Sequence, residues 1–303
     1  MNLQEKVKGY LDYCQFRKEL DLKTLKAYRI DLQQYFEYVG NRAPLKEQIE
    51  EYITELHKKY KQKTVKRKIA SLKAFYTYLE EMEIIQDNVM HHIRTKFKEE
   101  NVLPRIIPRE EIEKLLNYMY KKLKDGKEIQ AHILRNIAIV EIFFATGARV
   151  YEVANIRWEN INLNSGVIRF RGKGGKERII QVAEKSALNI LRRYYNENKN
   201  AIHRCGYFFV NQRGSRYTEQ SIREMLKKNS SQAGIKRNIT PHMFRHSFAT
   251  YLIEDGVDVS CVQQILGHSS IKTTQIYIHL ATKKQADILR KLHPRNKMKI
   301  NVA

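Results

Sequence analysis

Four short segments of this 303-residue chain hold side chains suited to a phosphate, and none of them holds a cluster of carboxylates. In ATGARVYEVANI, residues 145–156, Arg149 follows Gly147 and Glu152 lies three residues on, so cation and carboxylate can share one face of a helical turn. Taken alone, that pair reads as a surface ion pair. In RGKGGKER, residues 171–178, Lys173 sits between glycines at the tip of a hairpin. A phosphate-binding P-loop does not fit, because Lys176 is followed by Glu177 and a second strand instead of Ser or Thr opening a helix. The plain alternative is a basic turn in solvent. In HMFRH, residues 242–246, His242 and Arg245 stand at i, i+3 and His246 at i, i+4. The two histidines have a zinc spacing, yet Met243 occupies the position where a metalloprotease helix carries Glu. A His/Arg pair on one helical face can instead give a phosphate a proton donor and a bidentate cationic fork together. The fourth segment is ILGHSSIKTTQIYIHL, residues 265–280, in which His268 closes a helix and Tyr277 follows nine residues later. Any one of 18 tyrosines is ordinarily a packing residue, so Tyr277 gains weight only from the set.

The elements that must hold these side chains are mostly helical. Leu25, Tyr28, Leu32, Tyr35, Phe36 and Val39 recur at three- and four-residue intervals, which predicts an amphipathic helix from near Asp21 to Gly40. Val65, Ile69, Leu72, Phe75, Tyr76 and Leu79 form a second apolar stripe on a helix whose start is strongly basic, with Lys63, Lys66, Arg67, Lys68 and Lys73 placed to meet phosphates. The periodicity lapses over residues 87–107, which read as a linker between a helical domain at 1–86 and a second domain at 108–282. In that second domain AHILRNIAIVEIFFATG predicts a buried helix closed by Gly147, and GVIRFRGKGGKERIIQV predicts a β-hairpin. YFFV at 207–210 reads as a short strand, and helices continue to Gly267. The fold class is therefore mainly α: a helical bundle, then a mostly helical domain with a small antiparallel sheet.

Charge narrows the partner. With 56 Lys and Arg against 33 Asp and Glu, the formal net charge is +23, which favours a polyanion. The cations are dispersed from Lys6 to Lys299, whereas a membrane-surface protein concentrates them on one amphipathic face, so nucleic acid is the expected partner and no membrane is. Cys14, Cys205 and Cys261 are odd in number and far apart, which fits a reducing cytoplasm and no disulfide framework. The first ten residues hold no apolar signal core, and IAIVEIFFA is too short to span a bilayer and carries Glu141.

Together the four segments resemble the tyrosine recombinase/integrase family, closest in layout to its Xer-type or simple mobile-element members. The family's order Arg, Lys, His-x-x-Arg, His, Tyr is matched by Arg149, Lys173, His242, Arg245, His268 and Tyr277, and the framing ATGAR, HMFRHSFAT and LGHSSIKTTQIYIH agree with its boxes. Ala148, Tyr151 and Phe244 depart from its usual Leu, Ser and Leu, which touches packing and leaves the reactive set complete. The resemblance implies a site-specific recombinase acting on a double-stranded DNA recombination site, in chromosome-dimer resolution or mobile-element integration and excision. Residues 1–86 would be its core DNA-binding domain and 108–282 its catalytic domain. Tyr277 would attack the scissile phosphorus and form a 3′-phosphotyrosyl link, Arg149 and Arg245 would hold the non-bridging oxygens, and Glu152 would orient Arg149. His268 would add a hydrogen bond, Lys173 would protonate the 5′ oxygen, and His242 would assist proton transfer. Neither metal, nucleotide nor other cofactor is implied. The tail at 283–303 would dock on a neighbouring protomer in a tetramer on two DNA sites, formed by this chain alone or with a second recombinase. Two other readings stand beside it: a type IB topoisomerase-like nicking-closing enzyme, which would use similar residues without partner exchange, and a non-catalytic DNA-binding protein on this fold, which would be expected to have lost Tyr277 or one arginine, and none is missing.

Overall fold

The computed structural model describes residues 2–40, 45–95, 105–125, 131–172 and 177–267. The chain divides into two compact units, residues 1–100 and 101–303.

The first unit is a bundle of α1 (Lys6–Phe16), α2 (Leu22–Val39), α3 (Lys46–Lys59) and α4 (Gln62–Glu81). Helix α2 starts where the pattern predicts, because the Asp21 carboxylate accepts the Thr24 amide at 2.8 Å and satisfies one orphan donor of the first turn. Its apolar stripe and that of α4 meet in a core containing Leu32, Tyr35, Val65, Phe75 and Leu79, all fully buried. Within that core the Tyr35 and Tyr76 hydroxyls hydrogen-bond each other at 2.8 Å, so neither phenol is buried without a partner.

Packed structure reaches into the expected linker from both sides. A 3-10 turn at Val89–His92 inserts Met90 into the first core, followed by Ile93, and Ile107 is buried in the second core. One turn is too short to show a helical period, which is why these residues read as linker in the sequence.

The second unit contains α5 (Arg109–Asp125), α6 (Ala131–Thr146), α7 (Val150–Ala154), α8 (Lys185–Cys205), α9 (Glu219–Gln232), α10 (Pro241–Glu254) and α11 (Val259–Leu266). Helix α6 is apolar nearly all round and lies at the centre, against α5, α8 and α10. A three-stranded antiparallel sheet is formed by β1 (Ile161–Asn162), β2 (Val167–Arg171) and β3 (Glu177–Gln181) in the order β1-β2-β3. Its register sets Phe170 opposite Arg178 and Arg171 opposite Glu177, with Ile168 and Phe170 pointing into the core. Residues 207–210 make only isolated bridges, Tyr207 to Arg157 and Val210 to Arg216. Backbone and side chains share the pairing there: the Phe208 amide donates to the Ile156 carbonyl and the Phe209 carbonyl accepts the Tyr217 amide, each at 2.8 Å, while the Tyr194 hydroxyl accepts the Val210 amide at 3.0 Å and Arg135 donates to the Val210 carbonyl at 3.1 Å. Cys14, Cys205 and Cys261 are all free thiols. No described helix is long and apolar enough to cross a membrane.

Candidate active site

The chain leaves α6 through Gly147, whose φ of +58° is left-handed, and reaches Arg149 in extended conformation at the start of α7. A Cβ on Gly147 would lie 2.6 Å from Phe248 and 2.7 Å from Leu266, so both backbone shape and space require glycine. Glu152, on the first turn of α7, turns back and accepts the Arg149 amide at 2.8 Å through Oε2 and the Arg149 guanidinium at 2.9 Å through Oε1. The pair is no surface ion pair. The Glu152 side chain is 2 % exposed and that of Arg149 40 %, so the carboxylate is anchored inside while part of the guanidinium faces out.

A second cation completes the anchor. Arg178, on β3, donates to Glu152 Oε2 at 2.9 Å and stacks on Phe170 with its guanidinium carbon 4.9 Å from the ring centroid. Burial alone would raise the Glu152 carboxyl above its ordinary value; hydrogen bonding and charge from Arg178, then the amide and guanidinium of Arg149, bring it below. Arg178 is the site residue that the motif reading misses. The signal was the hairpin register, since a residue directly opposite inward-facing Phe170 must face inward too.

Helix α10 supplies the next side chains. Thr240 caps it, with Pro241 at its first position, which fixes where His242, Arg245 and His246 emerge. Arg245 is buried, and its fork reaches two segments: Nη1 donates to the Gly147 carbonyl at 2.8 Å and Nη2 to the Leu266 carbonyl at 2.7 Å. His242 is exposed and His246 half-buried. Burial, with His242 and Arg245 nearby, lowers the His246 imidazole below its ordinary value. Among the described residues no group of three or more His, Cys, Asp or Glu is arranged to hold a metal.

Arg149, Glu152 and Arg245 thus converge around the Gly147 turn, and Gly267, the residue before His268, ends the α11 segment that Arg245 grips. Lys173, His268 and Tyr277 lie outside the described residues, as does the tail at 283–303. On α4, Lys63 and Lys73 are exposed, Lys66 is half-buried, and Arg67 keeps 45 % of its side chain exposed while donating to Asp31. Lys68 departs from the expected phosphate-facing set. Its side chain is 3 % exposed, its Nζ lies 3.1 Å from Asp31 Oδ1, and it also donates to Gln34. The reason is helical geometry: Lys68 stands three residues after Val65 and four before Leu72, on the buried stripe itself.

A buried carboxylate presenting an arginine, with a second arginine locked beside it in a cation-rich helical domain, defines a site for phosphate chemistry. Residues 105–284 match the phage integrase family and residues 7–82 the N-terminal SAM-like domain of phage integrases. A tyrosine recombinase of Agathobacter rectalis is 47 % identical over 299 residues, spanning 97 % of this chain and 98 % of that protein. Tyrosine recombinase XerD of Listeria innocua is 33 % identical over 97 % of this chain and all of its own. The crystal structure of XerH site-specific recombinase bound to palindromic difH substrate, a post-cleavage complex, shares the fold with a TM-score of 0.75 at 23 % identity, covering 95 % of this chain and 84 % of that one. The chain belongs to the phage integrase family. It is a tyrosine recombinase, an enzyme that breaks and rejoins DNA strands at specific sites.

Proposed function

We propose that the chain carries out strand exchange at a double-stranded DNA recombination site by way of a covalent 3′-phosphotyrosyl intermediate. The Tyr277 hydroxyl oxygen attacks the scissile phosphorus, the bond to the 5′ oxygen breaks, and Lys173 supplies the proton which that oxygen takes up. The new ester keeps the energy of the broken phosphodiester, so rejoining needs no nucleotide. Arg149 and Arg245 neutralise the non-bridging oxygens as charge grows on them, a task metal ions perform in many nucleases. His268 adds a hydrogen bond to the phosphate, and His242 carries protons to and from the tyrosine. The observation that carries this reading is the double hold of Glu152 on Arg149, which fixes a half-exposed guanidinium to a buried anchor. Such a fork is pre-organised for two phosphate oxygens.

Lys63, Lys66, Arg67 and Lys73 on α4 would grip the DNA backbone in the first unit. The palindromic site of XerH supports two protomers per DNA site, hence four on two sites, with residues 283–303 joining neighbours. Within the cell the reading places the protein with the chromosome in the cytoplasm. The decisive test is Tyr277→Phe on a nicked DNA that traps cleavage. The variant should bind the site and form no covalent adduct; adduct formation would remove Tyr277 from the nucleophile's role. Relaxation of supercoiled plasmid by wild-type protein without any recombinant product would favour the nicking-closing alternative.

A further inference from the structure

We propose that Arg178 is a positioning residue for strand cleavage, setting Arg149 through Glu152 and tying strand β3 to the end of helix α11. The proposal rests on the reading of Arg149 as the phosphate's cationic partner. Arg178 sits at the crossing of three segments. Nη2 meets Glu152 Oε2 at 2.9 Å, the same oxygen that accepts the Arg149 amide at 2.8 Å. Nη1 donates to the Ile265 carbonyl. The neighbouring carbonyl, Leu266, is taken by Arg245 at 2.7 Å, so two arginines hold consecutive carbonyls at the end of α11. The packing there is close: Gly267 has a φ of +63°, and a Cβ on it would lie 3.0 Å from Arg178 Cδ.

Stability alone does not explain a side chain placed this way. A buried ion pair adds little net stability over apolar residues of the same volume, because desolvation offsets the attraction. What it supplies is a fixed geometry. Glu152 is held on one side by Arg178 and on the other by Arg149, so removing Arg178 frees the carboxylate to rotate and carries the Arg149 guanidinium with it. The same loss releases the Ile265 carbonyl and loosens the end of α11 just before the LGH box. Phe170 beneath the guanidinium and the inward register of β3 hold the Arg178 side chain, only 11 % exposed, toward Glu152.

The experiment measures Arg178→Met in single-turnover cleavage of a nicked DNA site at saturating protein, beside DNA binding and thermal unfolding. Binding should be unchanged and cleavage slower by about 100-fold, the loss that a misplacement of about 1 Å brings. A merely structural residue would lower the melting temperature without the two further signatures expected here. First, in a Glu152→Gln background the same change should cost much less, because the link it breaks is already weakened. Second, a scissile methylphosphonate, in which a methyl group replaces one charged non-bridging oxygen, leaves Arg149 little charge to neutralise, so the deficit should shrink on it. Should Arg178→Met fail to fold, Arg178→Lys retains a cation beside Glu152 and reaches only one partner, and it should show a smaller loss with the same shrinkage. Full-rate cleavage by Arg178→Met, or a deficit undiminished on the methylphosphonate, overturns the proposal. Arg149→Ala separates the two readings: wild-type cleavage by that variant would sink the role of Arg149, whereas its inactivity beside a fully active Arg178→Met would sink only the role of Arg178.

Discussion

Glu152 and Arg149 are joined twice, guanidinium to Oε1 at 2.9 Å and backbone amide to Oε2 at 2.8 Å, so one carboxylate fixes both the side chain and the local backbone of its partner. The amide contact closes the first turn of α7, where an acceptor at the third position satisfies a donor that the helix itself cannot. Fold and site therefore share a single contact at this point.

Removing that carboxylate should harm both. Glu152→Ala leaves Arg178 buried without its counter-charge, which should cost about 3 kcal/mol in denaturant unfolding, with cleavage lost as well. The sign with pH follows from the lowered carboxyl. A group whose folded pKa lies below its unfolded value contributes stability that is present above the unfolded value, about 4.3, and is lost as pH falls through the folded one. The stability gap between wild type and Glu152→Gln should thus be widest near neutrality and narrow below about pH 4. A gap that widens in acid would contradict the arrangement.

Gly147→Ala should damage cleavage far more than Gly40→Ala, although both positions have positive φ. At Gly40 a Cβ meets nothing within 4 Å, so only backbone strain remains: φ of 78° with ψ of −173° is a region nearly reserved for glycine, at a cost of about 1–3 kcal/mol. At Gly147 the added methyl collides with Phe248 and Leu266, adding about 1–3 kcal/mol of overpacking. The same collision would push apart the Gly147 and Leu266 carbonyls that Arg245 bridges, so cleavage should fall further than unfolding accounts for. Chemical denaturation and single-turnover cleavage of the two variants check this.

The contrast between those glycines marks what a sequence can show. Asp21 as a cap, the Gly40 and Gly147 helix ends and the antiparallel pairing of 167–171 with 177–181 follow local rules and were legible. So was the pairing of Arg149 with Glu152, because three-residue spacing on one helical turn carries it. The burial of Glu152 was not, since an i, i+3 pair looks the same on a surface as in a core. Arg178 was hidden for a related reason: its carboxylate partner lies 26 residues away in sequence, and only the pairing of β3 with β2 turns it inward. Lys68 shows the opposite case. Its position on the apolar stripe was readable from spacing, but the charge of the surrounding run pointed outward, and what decides is Asp31 waiting in the core.

The buried and exposed cations of α4 should separate in a salt titration. Lys63→Ala and Lys73→Ala are expected to weaken DNA binding and reduce the log–log salt slope by about 0.9 for each phosphate no longer neutralised. Lys68→Ala leaves the more exposed cations Lys63, Lys66 and Lys73 in place. It leaves Asp31 buried with Arg67 and with the Ser71 hydroxyl at 2.7 Å, so its effect should appear as reduced stability of the first unit with the salt slope unchanged. A slope reduced by Lys68→Ala in a fully folded protein would return that residue to the DNA-facing set.

Lys173 can be tested by the chemistry of the leaving group. An alkoxide at the 5′ position is a poor leaving group unless it gains a proton as the bond to phosphorus breaks, whereas a thiolate leaves without one. Lys173→Ala should therefore be slowed by about 100- to 10,000-fold on ordinary DNA, the span typical of a missing general acid, and recover most of that rate on DNA with sulfur at the bridging 5′ position. Tyr277→Phe should remain inactive on both substrates, because no leaving group compensates for a missing nucleophile. The arginines supply a further control: Arg149→Ala should stay slow with the sulfur substrate, since the charge it neutralises sits on the non-bridging oxygens, which the substitution leaves in place. Equal rescue of Lys173→Ala and Arg149→Ala would show that the sulfur relieves a general barrier and would move the proton-donor role away from Lys173, with His242 on α10 the next residue to test.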